Sequence, residues 1–117
     1  MDTENFKYTE LECPCCKRNK TTDKFMKKLQ EIRDHYGKPM VVRSGYRCKQ
    51  HNLEAGGVAN SVHLDGNAAD IEILDGANRF NFIQVCIALG IKRIGLHKQF
   101  IHIDIADNRP SPQVWFY

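Results

Sequence analysis

The sequence predicts an α+β fold in which a small antiparallel sheet carries helices on one face and leaves a polar groove on the other. Helix signals and strand signals alternate along the chain, without internal repeats or low-complexity linkers. Two predicted strands alternate between isoleucine and polar residues, which is typical of strands with one face in the core. The 117 residues suit a single domain spanning 1–117, and the 42% hydrophobic content excludes a disordered chain.

The first helix is predicted over 23–36, after an irregular lead-in at 6–11. Thr22 is a suitable N-cap, and Gly37 offers the left-handed conformation that ends many helices. Apolar residues between these two caps recur at steps of four, three and four. They therefore share one face, which we expect to be buried: Phe25, Leu29, Ile32 and Tyr36.

The rest of the chain divides into shorter elements. Strands are predicted at 40–44, 68–74, 91–97 and 100–105, the last two forming a hairpin around Lys98-Gln99. A short helix is predicted at 49–54, and a loop-rich stretch follows it, with Gly56-Gly57 and Asn60-Ser61.

A further helix is predicted at 77–89, with Gly90 as its stop. Its helical spacing is carried by three apolar residues, Phe80, Ile83 and Ile87. The tail, 108–117, contains two prolines and is expected to pack across the body as an irregular segment.

Two of the strands carry the residues with the clearest chemistry. In one, isoleucines alternate with Asp70 and Glu72, and in the other they alternate with His102 and Asp104. Successive side chains of a strand point to opposite faces, so the isoleucines face the core and the polar residues share the other face. His63 lies seven residues before Asp70, on the loop that enters this strand.

His63, Asp70 and His102 together make a suitable catalytic zinc set. Imidazole nitrogen and carboxylate oxygen are ligands that zinc prefers, and three protein ligands leave a position for water. Taken alone, however, this spacing does not separate a zinc site from ordinary surface or core histidines and a strand-end aspartate.

Longer motifs point to a family. Residues 61–70, S-V-H-L-D-G-N-A-A-D, resemble the S-x-H-x-x-G-x-A-x-D signature of the zinc D-Ala-D-Ala carboxypeptidases. Residues 44–47 and 52–57 resemble the S-G-Y-R and N-x-x-x-G-G segments of its small single-domain branch, and 100–104 resembles F-[VI]-H-[VI]-D. The resemblance extends over 6–105. This family includes peptidoglycan endopeptidases, and its fold, shared with the hedgehog signalling domain, implies a zinc groove on the open face of the sheet.

The resemblance implies a role for each matched position. His63, Asp70 and His102 match the ligands of the Zn²⁺ cofactor. Arg47 matches a catalytic arginine that binds the substrate carboxylate or the developing oxyanion, a task that suits the fixed donors of a guanidinium. Ser61 is a candidate for binding substrate or for bracing the loop, and bracing is the favoured interpretation.

One position departs from the family pattern. Many members carry Glu or Asp three residues before the last histidine as the general base, whereas this chain has Gln99, which cannot accept a proton. Asp104 is a catalytic candidate because it shares a strand face with His102, and it is an equally good candidate for orienting an imidazole. His97 is expected to face solvent, and Glu72 to lie further along the groove.

The chain has five cysteines: Cys13, Cys15, Cys16, Cys48 and Cys86. An odd count without a secretory signal argues against a full disulfide framework. The cluster at 13–16 suggests a metal site, but a structural zinc needs four ligands and Cys48 is the one plausible distant partner. Reduced thiols, with Cys86 in a helix core, are the favoured interpretation. A zinc knuckle in a nucleic-acid binder is the alternative, with local support only from Lys17, Arg18 and Lys20.

The function that the resemblance implies is zinc-dependent hydrolysis of a peptide bond in peptidoglycan stem or cross-link peptides. The nucleophile would be a water molecule that the metal activates, and the peptides would contain D-amino acids. The alternative is a non-catalytic zinc-containing module that binds the cell wall, which Gln99 motivates.

Charge and termini set further expectations. The net charge of +3 is mild and the chain has no long basic run, so no nucleic-acid partner is expected. No secretory signal and no membrane segment are recognisable. We therefore expect a monomer that is cytoplasmic at synthesis and acts on the cell wall, as a phage-encoded or virion-associated enzyme would.

Overall fold

The computed structural model describes residues 1–54, 56 and 61–117. The described part forms three α-helices: α1 (Asp23–Tyr36), α2 (Lys49–Glu54) and α3 (Gly76–Ala88). Its five strands are β1 (Val41–Ser44), β2 (Ala68–Glu72), β3 (Arg93–Leu96), β4 (Phe100–Asp104) and β5 (Gln113–Phe116). The predicted α+β class is confirmed. Among the described residues, no helix is long and apolar enough to cross a membrane.

The strands form one sheet in the order β1-β2-β4-β3-β5. Neighbouring strands are antiparallel, as predicted, except for β3 and β5, which run parallel. The sheet is therefore mixed, because the predicted irregular tail contributes a strand. Backbone N–H groups of Gln113 and Tyr117 donate to the carbonyls of Lys92 and Leu96, at 2.8 and 3.2 Å. This pairing covers the edge that β3 would otherwise expose.

The core lies between one face of the sheet and two helices. Helix α1 buries Phe25, Met26, Leu29 and Ile32, and these residues pack with the isoleucines of β2 and β4. The caps of α1 are those predicted, since Thr22 Oγ1 accepts the N–H of Phe25 and Gly37 adopts a left-handed φ of 75°. With the isoleucines directed to the helices, the alternate residues of β2 and β4 face the other side.

Two of the three apolar residues whose spacing predicts α3 lie outside its buried face. Phe80 and Ile87 are 67% and 58% exposed, whereas Phe82 and Cys86 are fully buried. Helix α3 has apolar residues on more than one face, so its period alone does not decide which stripe packs inward. The edge of the Phe82 ring meets Tyr36 at 5.4 Å between centroids, which ties α3 to the end of α1.

Other boundaries follow the predictions with small changes. The lead-in contains a 3₁₀ turn at Tyr8–Leu11, and the hairpin strands are shorter than predicted. Ser61 and Gly56 of the predicted loop-rich stretch are described, whereas Gly57 and Asn60 lie outside the described residues.

A second 3₁₀ turn, Val62–Asp65, enters β2 and ends at Gly66. Gly66 has a φ of +74°, and a Cβ there would lie 2.0 Å from the carbonyl oxygen of Lys20. The backbone oxygen of Gly66 also accepts the N–H of Thr22, at 3.0 Å. The turn that carries His63 is therefore packed directly against the start of α1.

We expect Gly66→Ala to lower the free energy of unfolding by clearly more than Gly37→Ala. Gly37 has nearly the same φ of +75°, but nothing lies within 4 Å of its added Cβ. Gly37→Ala should cost only the left-handed strain, about 1–2 kcal/mol. Gly66→Ala adds the overlap with Lys20. Urea denaturation of both variants measures the difference, and equal losses would contradict the close packing at Gly66.

Candidate metal centre

Three side chains meet on the face of the sheet opposite α1 and α3. Asp70 and His102 are directly opposite each other in the β2–β4 pairing, and His63 projects from the turn before β2. Asp70 Oδ1 lies 3.3 Å from His63 Nε2 and 2.9 Å from His102 Nδ1. One ligand atom from each residue lies within 4.8 Å of the others. All three residues are buried, with 5% exposure at most.

The second nitrogen of each imidazole has a partner of its own. His63 Nδ1 donates to the backbone oxygen of Gly45 at 2.7 Å, because a carbonyl can only accept. His102 Nε2 donates to Asp104 Oδ2 at 2.7 Å. These bonds orient the rings. When a ring is neutral, they leave a lone pair for a metal on His63 Nε2 or His102 Nδ1, and when a ring carries a second proton, the same nitrogen donates to Asp70. Such outer hydrogen bonds are the usual support of metal-binding histidines, so the donor set fits Zn²⁺.

The electrostatics of this group favour positive charge. Burial acts to raise the pKa of Asp70, but hydrogen bonds from His102 and His63 outweigh it and hold that pKa well below its usual range. Burial acts to lower the pKa of His102, but hydrogen bonds to Asp104 and Asp70 raise it above the ordinary value. Two carboxylates thus stabilise a cation at His102, and a metal ion satisfies the same preference.

Asp104 is held on its other side by Arg93. Its Oδ1 accepts hydrogen bonds from Arg93 Nε at 2.9 Å and from the N–H of Ala106 at 3.1 Å. The carboxylate is fully buried. Arg93 also donates to the carbonyl of Pro110 and lies 4.9 Å from the ring centre of Trp115. Sequence reasoning missed Arg93, whose only signal is that it and Lys92 are cations in an otherwise largely apolar predicted strand.

Arg47 lies beside this group and is bonded to three acceptors. Its guanidinium donates to Ser44 Oγ at 3.0 Å, to Asn52 Oδ1 at 3.2 Å and to Asp70 Oδ2 at 3.3 Å. Its backbone N–H donates to the carbonyl of His63, at 3.2 Å. Arg47 is therefore brought next to the three predicted ligands.

Ser61 caps the turn that carries His63. Its Oγ accepts the backbone N–H of His63 at 3.2 Å, which is the bracing contact favoured from the sequence. Ser61 also lines a cavity beside the three predicted ligands.

The three predicted ligands line a cavity of about 740 Å³. Asp70 is the only carboxylate among its described lining residues. Four arginines also line it: Arg43, Arg47, Arg93 and Arg109. The wall is therefore predominantly cationic, which favours an anionic ligand.

Strand β5 adds an aromatic wall that the sequence analysis missed. Trp115 lies 5.3 Å from the ring centre of His102, although β3 lies between their strands. This contact depends on Gly95, because a Cβ there would lie 2.7 Å from the Trp115 ring. A glycine inside the predicted strand and the aromatic run that ends the sequence were the available signals.

The remaining candidates are spread around the hairpin. His97, expected to face solvent, is half-buried, lines the cavity and stacks on Phe100 at 4.3 Å. The N–H of Gln99 donates to His97 Nδ1 at 3.1 Å. The Gln99 side chain accepts from Arg43, which also lies 3.9 Å from Glu72. Glu72 is not among the described lining residues.

A second group of potential metal ligands lies outside the cavity. It consists of Cys13, Cys15, Cys16 and Cys48, whose sulfur atoms lie within 4.8 Å of one another. Burial acts to raise the pKa of Cys13, but hydrogen bonds from Cys48 and Cys15 lower it to about 6. Cys86, as predicted, is buried in the core at α3.

Comparison with known proteins identifies the family. A family model described as Peptidase M15 matches residues 4–104, most of the chain, and the chain therefore belongs to this family. Its members are zinc-dependent peptidases, so a metallopeptidase is implied. No curated protein matches the chain. The matched range includes the three predicted ligands but ends before β5.

We expect His63→Ala to bind one equivalent of zinc fewer than the unaltered protein, because the metal would lose one of three ligands. His35→Ala removes an exposed imidazole from α1 and serves as the control. Zinc is measured by inductively coupled plasma mass spectrometry after gel filtration. An unchanged zinc content in His63→Ala would exclude His63 as a ligand.

Proposed function

We propose that this Peptidase M15 chain, as a single domain over 1–117, hydrolyses a peptide bond in peptidoglycan stem or cross-link peptides. The observation that carries the proposal is the His63, Asp70 and His102 group in the wall of a cationic cavity. In this proposal, the three residues hold Zn²⁺. When bound, zinc acts as a Lewis acid that polarises a carbonyl and makes water more acidic.

The charge of the cavity supports a short peptide with a free carboxylate as substrate. Four arginines line the cavity, and Asp70 is the only side-chain carboxylate among its described lining residues. Asp70 is itself a proposed zinc ligand. Stem peptides carry such anionic groups, and a guanidinium binds carboxylates through two parallel hydrogen bonds. Aromatic rings of Phe100 and Trp115 supply an apolar surface for the remaining side chains. Action at the cell wall follows from this substrate, whereas a phage source and a monomeric state stay predictions.

Arg47 is proposed to bind the substrate carboxylate or the oxyanion that develops at the scissile carbonyl. Its hydrogen bonds to Ser44, Asn52 and Asp70 hold the guanidinium in place before substrate arrives. A donor that is already oriented stabilises developing charge without reorganising during the reaction.

Asp104 is proposed to position His102 and not to take a proton from water. Both of its oxygens are engaged, by His102 and by Arg93 with Ala106. Its contact is with Nε2 of His102, whereas Asp70 is at Nδ1 of the same ring. This supports the orienting role over the general-base role that the sequence left equally open.

His97 is the proposed proton-transfer group in place of the missing carboxylate at Gln99. It borders the cavity, and an imidazole can accept a proton from water and return it to the leaving amine. Accepting this proton at Nε2 requires the tautomer protonated at Nδ1. The ring therefore first exchanges its proton from Nε2 to Nδ1 through solvent, and the hydrogen bond from the Gln99 N–H is broken before the transfer.

The second candidate function is a zinc-containing module that binds wall peptides without cleaving them. It is favoured by one observation, that the described cavity wall offers no carboxylate besides Asp70. In that case, the same arginines and aromatic rings would bind the peptide, and no residue would transfer a proton.

We expect the zinc-loaded protein to cleave purified muropeptides, and His63→Ala to leave them intact. Mass spectrometry of monomers and cross-linked dimers reads out the reaction. Loss of terminal D-Ala indicates a carboxypeptidase, whereas conversion of dimers to monomers indicates an endopeptidase. If zinc is bound and no muropeptide changes mass, the proposed hydrolysis is wrong and the binding module is favoured.

We expect His97→Gln to lower kcat by about 10²-fold or more with normal zinc content, because a general base typically contributes this much. His51→Gln alters another imidazole of the cavity wall and is the matched control. Asp104→Asn should instead weaken zinc binding, since the amide has only one acceptor oxygen and cannot accept from both His102 and Arg93. Steady-state kinetics and zinc titration distinguish the two. Near-normal kcat in His97→Gln would exclude His97, and a large kcat loss in Asp104→Asn with full zinc affinity would make Asp104 the base.

A further inference from the structure

Four cysteines from two distant segments bring their sulfur atoms together outside the cavity. Cys15 Sγ lies 3.4 Å from Cys13 Sγ and 3.2 Å from Cys48 Sγ. Together with Cys16, all four sulfurs lie within 4.8 Å of one another. We propose that these four cysteines bind one structural Zn²⁺ through four thiolates, separately from the proposed catalytic zinc.

The backbone around Cys13 and Cys16 forms a turn that suits metal binding. Cys13 and Cys16 have the C-x-x-C spacing of many structural zinc sites. The turn between them is closed by two hydrogen bonds, Lys17 N–H to Cys13 O at 2.8 Å and Cys13 N–H to Arg18 O at 2.7 Å. Lys17 adopts a left-handed φ of 62°, which is uncommon for a residue with a side chain. This conformation turns the chain back toward Cys13, where the carbonyl of Arg18 accepts the Cys13 N–H.

Backbone amides are directed at the sulfur atoms. The N–H of Cys48 donates to Cys13 Sγ, and the N–H of His51 donates to Cys48 Sγ, both at 3.4 Å. The backbone of Arg18 donates to Cys16. Amide dipoles stabilise negative charge on sulfur, and such hydrogen bonds commonly surround metal-bound thiolates.

Neither a disulfide nor a set of buried, apolar cysteines accounts for this arrangement of four sulfurs. A disulfide joins two sulfurs at about 2 Å and gives no reason for two more to converge on the same point. Cysteines that act only as small apolar residues are buried, whereas Cys15 and Cys16 are exposed. Four sulfur donors favour zinc or iron over magnesium or calcium, and zinc needs no redox partner. Binding releases the thiol protons to solvent and changes no oxidation state.

The site would fasten the N-terminal segment to the loop that carries Arg47. Cys48 directly follows Arg47, and the N–H of Tyr46 donates to the carbonyl of Leu11 at 2.8 Å. Gly45 packs so closely on Leu11 that a Cβ added at Gly45 would lie 2.7 Å from the Cα of Leu11. None of the four cysteines lines the cavity in the described part of the chain. The inferred role is therefore structural support for this loop.

Cobalt substitution of the unaltered protein tests the site without any mutation. The proposed catalytic set contains no sulfur, so an intense thiolate-to-cobalt charge-transfer band can arise only from the cysteine site. We expect this band, together with visible bands of tetrahedral cobalt. Its absence from folded, cobalt-loaded protein with reduced thiols would overturn the proposal.

Zinc stoichiometry of variants separates this site from the catalytic one. We expect the double variant His63→Ala/His102→Ala to retain one zinc ion per chain. Adding Cys48→Ser to this double variant should remove that zinc ion. Cys86→Ala, which alters the remaining cysteine, should leave the zinc content unchanged. Circular dichroism verifies folding of each variant.

Three results would contradict the site. The first is a folded His63→Ala/His102→Ala variant that contains no zinc. The second is iron in place of zinc in protein purified with both metals supplied. The third is a disulfide among the four cysteines, detected by intact mass after anaerobic purification. None of these results depends on whether muropeptides are cleaved.

Discussion

A line of hydrogen-bonded polar side chains crosses the sheet, and the geometry of the candidate metal centre depends on it. Arg47 donates to Asp70, Asp70 pairs with His102, His102 donates to Asp104, and Asp104 accepts from Arg93. Buried carboxylates are costly unless they are bonded, so each member stabilises the next. The two arginines offset the two carboxylates. A divalent metal at the centre therefore adds positive charge, consistent with the proposed anionic substrate.

This line exists only because β2 and β4 pair in one register. Asp70 lies opposite His102, and their neighbours along the strands lie in the core: Ala69, Ile71, Ile101 and Ile103. A shift of one residue would move the polar side chains toward α1 and α3 and expose the isoleucines. Burial of the isoleucine rows thus determines the register. The same hydrophobic contacts that stabilise the fold place the two strand-borne ligands side by side, while Gly66 allows the third to approach.

Short-range sequence signals are enough to predict part of the fold. The caps of α1 were read correctly because Thr22 and Gly37 act on their immediate neighbours, and the strand faces followed from simple alternation. The three-residue metal set itself came from motif resemblance, since its spacing alone was ambiguous. Features that depend on distant partners were missed: the packed stripe of α3, the pairing of β5 with β3, and the salt bridge of Arg93 to Asp104. The sequence indicates Cys48 as a plausible distant partner, but only the fold brings it to the 13–16 cluster.

The loop from Gly45 to Cys48 connects the two proposed metal sites. The carbonyl of Gly45 orients the His63 ring, and the backbone N–H of Arg47 holds the His63 carbonyl. A ligand held by a loop is precise only if the loop itself is rigid. Strand β1 ends at Ser44, just before this loop, so contacts to Leu11 and to the cysteine cluster supply the remaining constraint. A structural zinc at Cys48 would therefore act on His63 and Arg47 through one short piece of backbone.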